Sequence, residues 1–198
     1  MRGSKLVIDL ETQKTFEDVG GRNYDELLVS VLGVYRYDGN NYESYLEQDL
    51  HRFENLLIDS PLVIGFNIRK FDFPVLQRYL KMDTTKVPML DILEDICGKI
   101  GHRVSLESVA RATLQSGKTA DGLEAIEYFK KGEWEKLKSY CLNDVKITKE
   151  IYEFGVREGQ VYYLTRDGSD RKSVKVEWAE LRLSDAPPSA AQQYNLIF

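Results

Sequence analysis

Asp9 and Glu11 stand two residues apart at the end of the apolar run Leu6-Val7-Ile8, with Leu10 between them and Thr12 following. In an extended strand, residues two apart point to one face, so both carboxylates emerge side by side. Like charges that close repel unless a cation lies between them. The stretch reads as a metal ledge at the end of a central strand, or more plainly as a strand running into a polar turn. Asp72 lies where Ile64-Gly65-Phe66-Asn67-Ile68-Arg69-Lys70-Phe71 runs from a strand into a helix. A carboxylate at a helix start is favoured simply as a cap, and Asn67 at the strand end can bind backbone or ligand. Tyr140 and Asp144, four apart, share one helix face. Two other Tyr-x-x-x-Asp pairs occur, but Tyr45/Asp49 leaves a strand and Tyr79/Asp83 ends a helix. Only Asp144 lies mid-helix, among Leu137, Cys141, Val145, Ile147 and Ile151, with no Lys or Arg clearly on its face. A carboxylate so placed needs a partner.

Periodicity and turn chemistry predict the elements that position these residues. Lys5 to Thr12 is a first strand, and Leu27 to Tyr37, rich in β-branched and aromatic residues, a second. Asp38-Gly39-Asn40-Asn41 is a hairpin turn, and Tyr42 to Leu46 returns as the third strand. The polar stretch between Thr12 and Glu26, with Gly20-Gly21, predicts a mobile loop. Asp49 is expected to cap a helix whose apolar face is Leu50, Phe53, Leu56 and Leu57, ended by Pro61. A fourth strand, Leu62 to Phe66, leads to a helix over Phe71–Leu80, a fifth strand over Val87–Leu90 and a helix over Ile92–Ile100. Then come a Ser105-capped helix reaching Leu114, a polar loop over Gln115–Asp121, a helix over Leu123–Lys130 and a long helix from Trp134 to Gly155. The result is an α/β fold: a mixed sheet with strands 1–3 antiparallel and strands 4–5 parallel, flanked by helices. Gln160–Leu164 and Ser173–Trp178 around Asp167-Gly168 predict a C-terminal hairpin, and Pro187-Pro188-Ser189-Ala190-Ala191 a disordered tail. The chain thus divides into a main domain (1–158), a hairpin extension (159–180) and a tail (181–198).

Together these residues resemble the DEDD superfamily of 3′→5′ exonucleases, which have the ribonuclease-H-like fold. Asp9-Leu10-Glu11-Thr12 matches its first motif, Asn67 with Phe71-Asp72 its second, and Tyr140 with Asp144 its third, in the tyrosine version called DEDDy. The histidine version needs His where this chain has Ser139. Gly122-Leu123-Glu124-Ala125 and the text from Tyr140 to Thr148 are also similar to the family, and the resemblance spans Lys5 to Phe154. It implies phosphodiester hydrolysis with two Mg²⁺ or Mn²⁺ ions roughly 3.5–4 Å apart. It implies that Asp9 bridges both ions, Glu11 and Asp144 complete the first, and Asp72 serves the second, partly through water. Tyr140 would aim the attacking water, and Thr12 would touch the terminal nucleotide, with Leu10, Asn67 and Phe71 as further substrate contacts. The alternatives are a structure-specific endonuclease and a catalytically idle nucleic-acid-binding or adaptor domain. An idle site has no physical reason to keep four mutually repelling carboxylates.

The totals fit that class. With 42% hydrophobic and 30% charged residues, the 198-residue chain reads as one globular domain with an appendage. No apolar run approaches the ~18–20 residues that cross a bilayer, and no signal peptide is expected within Met1 to Lys5, since the first strand follows at once. Cys97 and Cys141, without metal-type spacing, are expected as reduced core thiols of a cytoplasmic protein. A net charge of −5 disfavours a polyanionic partner, yet two divalent ions would add four positive charges and leave −1. The expected partner is a single-stranded 3′ end of DNA or RNA. Arg69-Lys70, Lys99 with His102-Arg103, and Lys118 are candidate phosphate contacts; His51 and His102 have no evident partner. Gln193-Tyr194-Asn195-Leu196-Ile197-Phe198 resembles the short peptides that dock on bacterial sliding clamps, with Tyr194 where Leu is usual.

Overall fold

The computed structural model describes residues 3–115 and 123–178. Strand β1 (Leu6–Thr12) pairs antiparallel with β2 (Val29–Arg36), which pairs antiparallel with β3 (Asn41–Leu46). On its other edge β1 runs parallel to β4 (Val63–Gly65), and β4 parallel to β5 (Met89–Asp91). The order β3-β2-β1-β4-β5 is the predicted mixed sheet. The helices are α1 (Tyr24–Leu27), α2 (Leu50–Asp59), α3 (Asp72–Leu76), α4 (Ile92–Ile100), α5 (Leu106–Leu114), α6 (Leu123–Lys131) and α7 (Trp134–Glu158). A separate hairpin joins β6 (Gln160–Leu164) and β7 (Arg171–Lys175).

Alternation along β1 divides the core. Leu6, Ile8 and Leu10 pack with Leu50, Phe53 and Leu57 of α2 and with Phe73 and Leu76 of α3. Val7, from the opposite face, packs with Ile92 and Ile96 of α4, Val109 of α5, and Val145 and Ile151 of α7. Asp9 and Glu11 share the parity of Val7, so they emerge on the α7 side. Where Asp9 pairs with Gly33 of β2, the missing side chain admits α7. A Cβ there would lie 2.9 Å from both Cys141 Sγ and Val145 Cγ2.

Several elements differ from expectation. The helix over Phe71–Leu80 is regular only to Leu76 and closes with a 3₁₀ turn over Gln77–Tyr79. The Gln77 side chain ties that end to the next loop, accepting from Thr84 N (2.9 Å) and donating to Met82 O (3.0 Å). Asp49 makes no capping hydrogen bond, because it closes a 3₁₀ turn and already has helical backbone angles. The fifth strand starts after Pro88, which has no N–H to pair. Residues 13–26 are a structured excursion: Gln13 and Lys14 donate backbone hydrogen bonds to Leu28 and Leu27, and Phe16 meets Tyr24 edge-on at 5.5 Å. The second hairpin strand runs earlier than expected, and Val176 to Trp178 leave it to pack against the domain. Cys141 is buried, but Cys97 is only half-buried on α4. Part of the expected polar loop, including Lys118, lies outside the described residues, as does the tail with its clamp-like segment 193–198. No helix among the described residues is long and apolar enough to cross a membrane.

The hairpin is anchored through its apolar residues. Val161, Val174, Val176 and Trp178 share the core that contains Val7 and Ile64. Trp178 covers Gly155 of α7, where a Cβ would meet the indole at 2.3 Å, and donates through Nε1 to Asp95 Oδ2 (2.8 Å).

Candidate active site

The sheet and α7 bring carboxylates together from opposite ends of the chain. Asp9 and Glu11 project from β1, and Asp144 projects from α7. Each of the three offers an oxygen within 4.8 Å of the others'. Asp72, first residue of α3, is 3% exposed, and its Oδ1 has no hydrogen-bond partner among the described residues. It stands outside the close trio, yet its charge is felt at both Asp9 and Glu11. No Lys or Arg among the described residues pairs with any of the four.

The electrostatic consequence is a set of carboxyl groups held against ionisation. Burial pushes Asp9 and Glu11 well above the usual range, and the neighbouring carboxylates add to it. Asp72 is pushed up to about 8, chiefly by burial, against the pull of hydrogen bonds from its own and Leu10's backbone N–H. Burial raises Asp144 to about 6. Such a cluster gains from a divalent cation, and oxygen-only donors suit hard ions such as Mg²⁺ or Mn²⁺. The orphaned Oδ1 of Asp72 is a buried acceptor of the kind a cation or its bound water satisfies. Tyr140, one turn before Asp144, is half-buried, and burial followed by Glu11, Asp144 and Asp9 raises its phenol. It therefore stays protonated and can donate a hydrogen bond at neutral pH.

The remaining expected site residues are distributed as follows. Asn67 has a left-handed backbone (φ 72°), and its Oδ1 accepts from Arg103 Nη2 at 3.2 Å. Phe71 is half-buried and meets Phe16 edge-on at 5.9 Å. The Thr12 side chain is buried, its hydroxyl donating to Lys14 O (2.8 Å). Leu10 points its side chain into the α2–α3 core, so only its backbone is turned toward the site. Of the candidate phosphate contacts, Arg69 is paired with Glu94 (2.8 Å) and Lys99 with Asp95 (2.7 Å).

Two supporting residues were not singled out from the sequence. Asp91, 5% exposed, accepts from Asn67 N (2.9 Å) and Glu94 N (3.1 Å) through Oδ1 and from Arg69 N (3.0 Å) through Oδ2. It thereby caps α4 and clamps the loop that leads to Asp72. Its signal was the spacing Asp91-x-x-Glu94 before an apolar run, a capping pattern. Gly33 is the other; a glycine inside an apolar strand marks close backbone approach. Against it, the Cys141 thiol donates to Asp9 O (3.3 Å), steadying β1 at its first carboxylate.

The model of the RNase H superfamily matches residues 6–155, three quarters of the chain. The chain belongs to the RNase H superfamily. Among solved structures, it is similar to the family B DNA polymerase from the hyperthermophilic archaeon Pyrobaculum calidifontis, with a TM-score of 0.61 at 17% identity over 76% of this chain and 24% of that one. It is also similar to Trypanosoma brucei RNase D, with a TM-score of 0.56 at 13% identity over 77% of this chain and 57% of that one. This chain thus spans under two thirds of either protein, and at these identities the likeness concerns the fold. No curated protein matches the sequence. The superfamily match ends at residue 155, so it leaves out the hairpin.

Proposed function

We propose that the chain is a metal-dependent 3′→5′ exonuclease of the DEDDy type, acting on a single-stranded end of DNA or RNA. The observation that carries this reading is the convergence of Asp9, Glu11 and Asp144 beside Asp72, whose Oδ1 is orphaned, with no Lys or Arg paired to any of the four among the described residues. Asp9, Glu11 and Asp144 would hold one divalent ion and Asp9 with Asp72 a second. When bound, such a pair activates water at neutral pH and stabilises charge on the leaving 3′ oxygen. Tyr140 holds its hydroxyl proton and orients the water through it. Its raised phenol makes it a donor and an orienter rather than a base. Asn67, Phe71, Thr12 and the Leu10 backbone would position the terminal nucleotide. Should the tail segment Gln193–Phe198 dock on a sliding clamp, a peptide of that sequence will bind the clamp and its Leu196→Ala/Phe198→Ala variant will not.

The test is hydrolysis of 3′- and 5′-labelled single-stranded DNA and RNA by the purified full chain with Mg²⁺, Mn²⁺ or a chelator. Stepwise release from the 3′ end, abolished by the chelator and by Asp144→Ala, is the expected result. Internal cuts in a strand with a blocked 3′ end would mark an endonuclease. Equal cleavage by wild type and Asp144→Ala would overturn the assignment.

A further inference from the structure

Between the start of α5 and the turn of the β6–β7 hairpin lies a groove of ≈ 530 Å³ into which three separate segments bring basic side chains. His102 and Arg103 come from the α4–α5 connection, Arg111 from α5 and Arg166 from the hairpin turn, with Glu107 as the one carboxylate. Three arginines against one glutamate leave a local charge of +2 in a chain whose total is −5. Glu107 is partly taken up by Arg111 at 3.7 Å. Arg103 and Arg166 have no ion-pair partner among the described residues, and Arg103 keeps donors for an anion beyond the Nη2 bonded to Asn67.

The groove is built rather than incidental. Ser108 of α5 donates to Leu164 O (3.2 Å) and accepts from Leu164 N (3.0 Å). Thr113 repeats the exchange with Tyr162, donating to its O and accepting from its N at 2.9 Å each. These paired bonds dock the outer edge of β6 on α5 and fix the turn that carries Arg166. At the inner end, Arg103 bonds the side chain of Asn67, whose own carbonyl accepts from Phe71 N (3.0 Å) beside Asp72. One contact therefore joins the groove to the loop that presents the fourth carboxylate. The hairpin half of the groove lies beyond the region matched by the superfamily.

We propose that this groove binds the phosphate backbone of the single-stranded substrate, beyond the nucleotides held at the carboxylates. The inference rests on the exonuclease reading above. Guanidinium groups fit phosphate oxygens in bidentate pairs, and such contacts supply affinity and register without reading sequence. The groove thereby makes binding depend on substrate length, and gives an acidic protein a local positive surface for the strand.

The experiment measures binding of a fluorescent long single strand and of a dinucleotide to the full chain in Ca²⁺, across a salt series. Variants are Arg166→Ala, Arg111→Ala/Arg166→Ala and Glu107→Gln. The double variant is expected to bind the long strand about tenfold more weakly, and its salt dependence should flatten by about one unit of slope per arginine removed. Glu107→Gln is expected to tighten binding, a direction that misfolding cannot produce. Equal affinity of wild type and all variants for the long strand would overturn the proposal. So would equal displacement of the strand by an acidic peptide, which would mark a general anion surface. The parent reading fails separately: a wild-type chain that binds as expected but hydrolyses no strand in Mn²⁺ refutes the exonuclease and leaves the groove standing. Hydrolysis by the wild type with unaltered binding in the variants does the reverse.

Discussion

At Asp72 a carboxyl group is buried to 3% exposure and shifted from an ordinary value of 3.8 to about 8. The sign of the stability effect follows. The folded state holds this proton more tightly than the unfolded state, so without metal the protein is most stable below the unfolded value and loses stability as pH rises toward 8. Asp144 adds to the loss up to about pH 6. Metal-free protein should melt at a falling temperature across that window, and Asp72→Asn should flatten part of the slope in a calorimetric pH series. Divalent ions compete with those protons, so their stabilisation should be larger at pH 8 than at pH 5, as the carboxyl groups at about 8 and about 6 ionise. The role proposed for Tyr140 separates from that of the proposed metal ligands by another test. Tyr140→Phe keeps the ring and loses the donor, so the rate should fall about 10–10³-fold with metal affinity retained. Single-turnover kinetics beside metal titration measures both.

Among the elements, the close approach of α7 to the sheet decides whether β1 and α7 share a site. Gly33 permits it, since a Cβ would press on Cys141 and Val145 at 2.9 Å. Gly33→Ala is expected to cost about 1–3 kcal/mol through overpacking. Because Cys141 touches Asp9 and Asp144 lies one turn further on, activity should fall more than stability alone explains. Denaturant melts and turnover at a temperature where the variant is folded distinguish the two effects. The second motif depends likewise on β5 and α4. Asp91→Ala strips the acceptor from the N–H groups of Asn67, Arg69 and Glu94 and should cost about 1–3 kcal/mol. It should also slow turnover by loosening the loop before Asp72; Asp91→Asn, which keeps one acceptor, should recover part of both.

For the molecule as a whole, the hairpin shares its apolar core with the main sheet. Val161, Val174, Val176 and Trp178 pack with Val7, Ile64 and Tyr152. Trp178→Ala removes a side chain that is 6% exposed and stacked on Tyr152 at 6.4 Å, and should cost about 3–5 kcal/mol. Unfolding should remain one transition by circular dichroism and by tryptophan fluorescence, since hairpin and sheet share apolar contacts. Two separated transitions would show that residues from 159 onward fold by themselves.

The sequence by itself determined the residue types of the candidate site and the strand-and-helix order that carries them. Metal chemistry demands carboxylates, and alternation along β1 and the four-residue spacing on α7 are local rules that can be read without a partner. The mixed sheet was legible for the same reason: an apolar meander followed by β-α units has few ways to pack. What only the tertiary structure decided are the relations between distant segments. The reach of Asp72 depends on Asp91 of β5, the meeting of Asp9 with Asp144 depends on a missing side chain at Gly33, and the hairpin's place depends on a bare patch at Gly155. The same holds for the basic groove, whose three arginines are as far apart in the chain as 103 and 166. Each of these is set by which surfaces bury each other, a contest among long-range contacts that local periodicity does not encode.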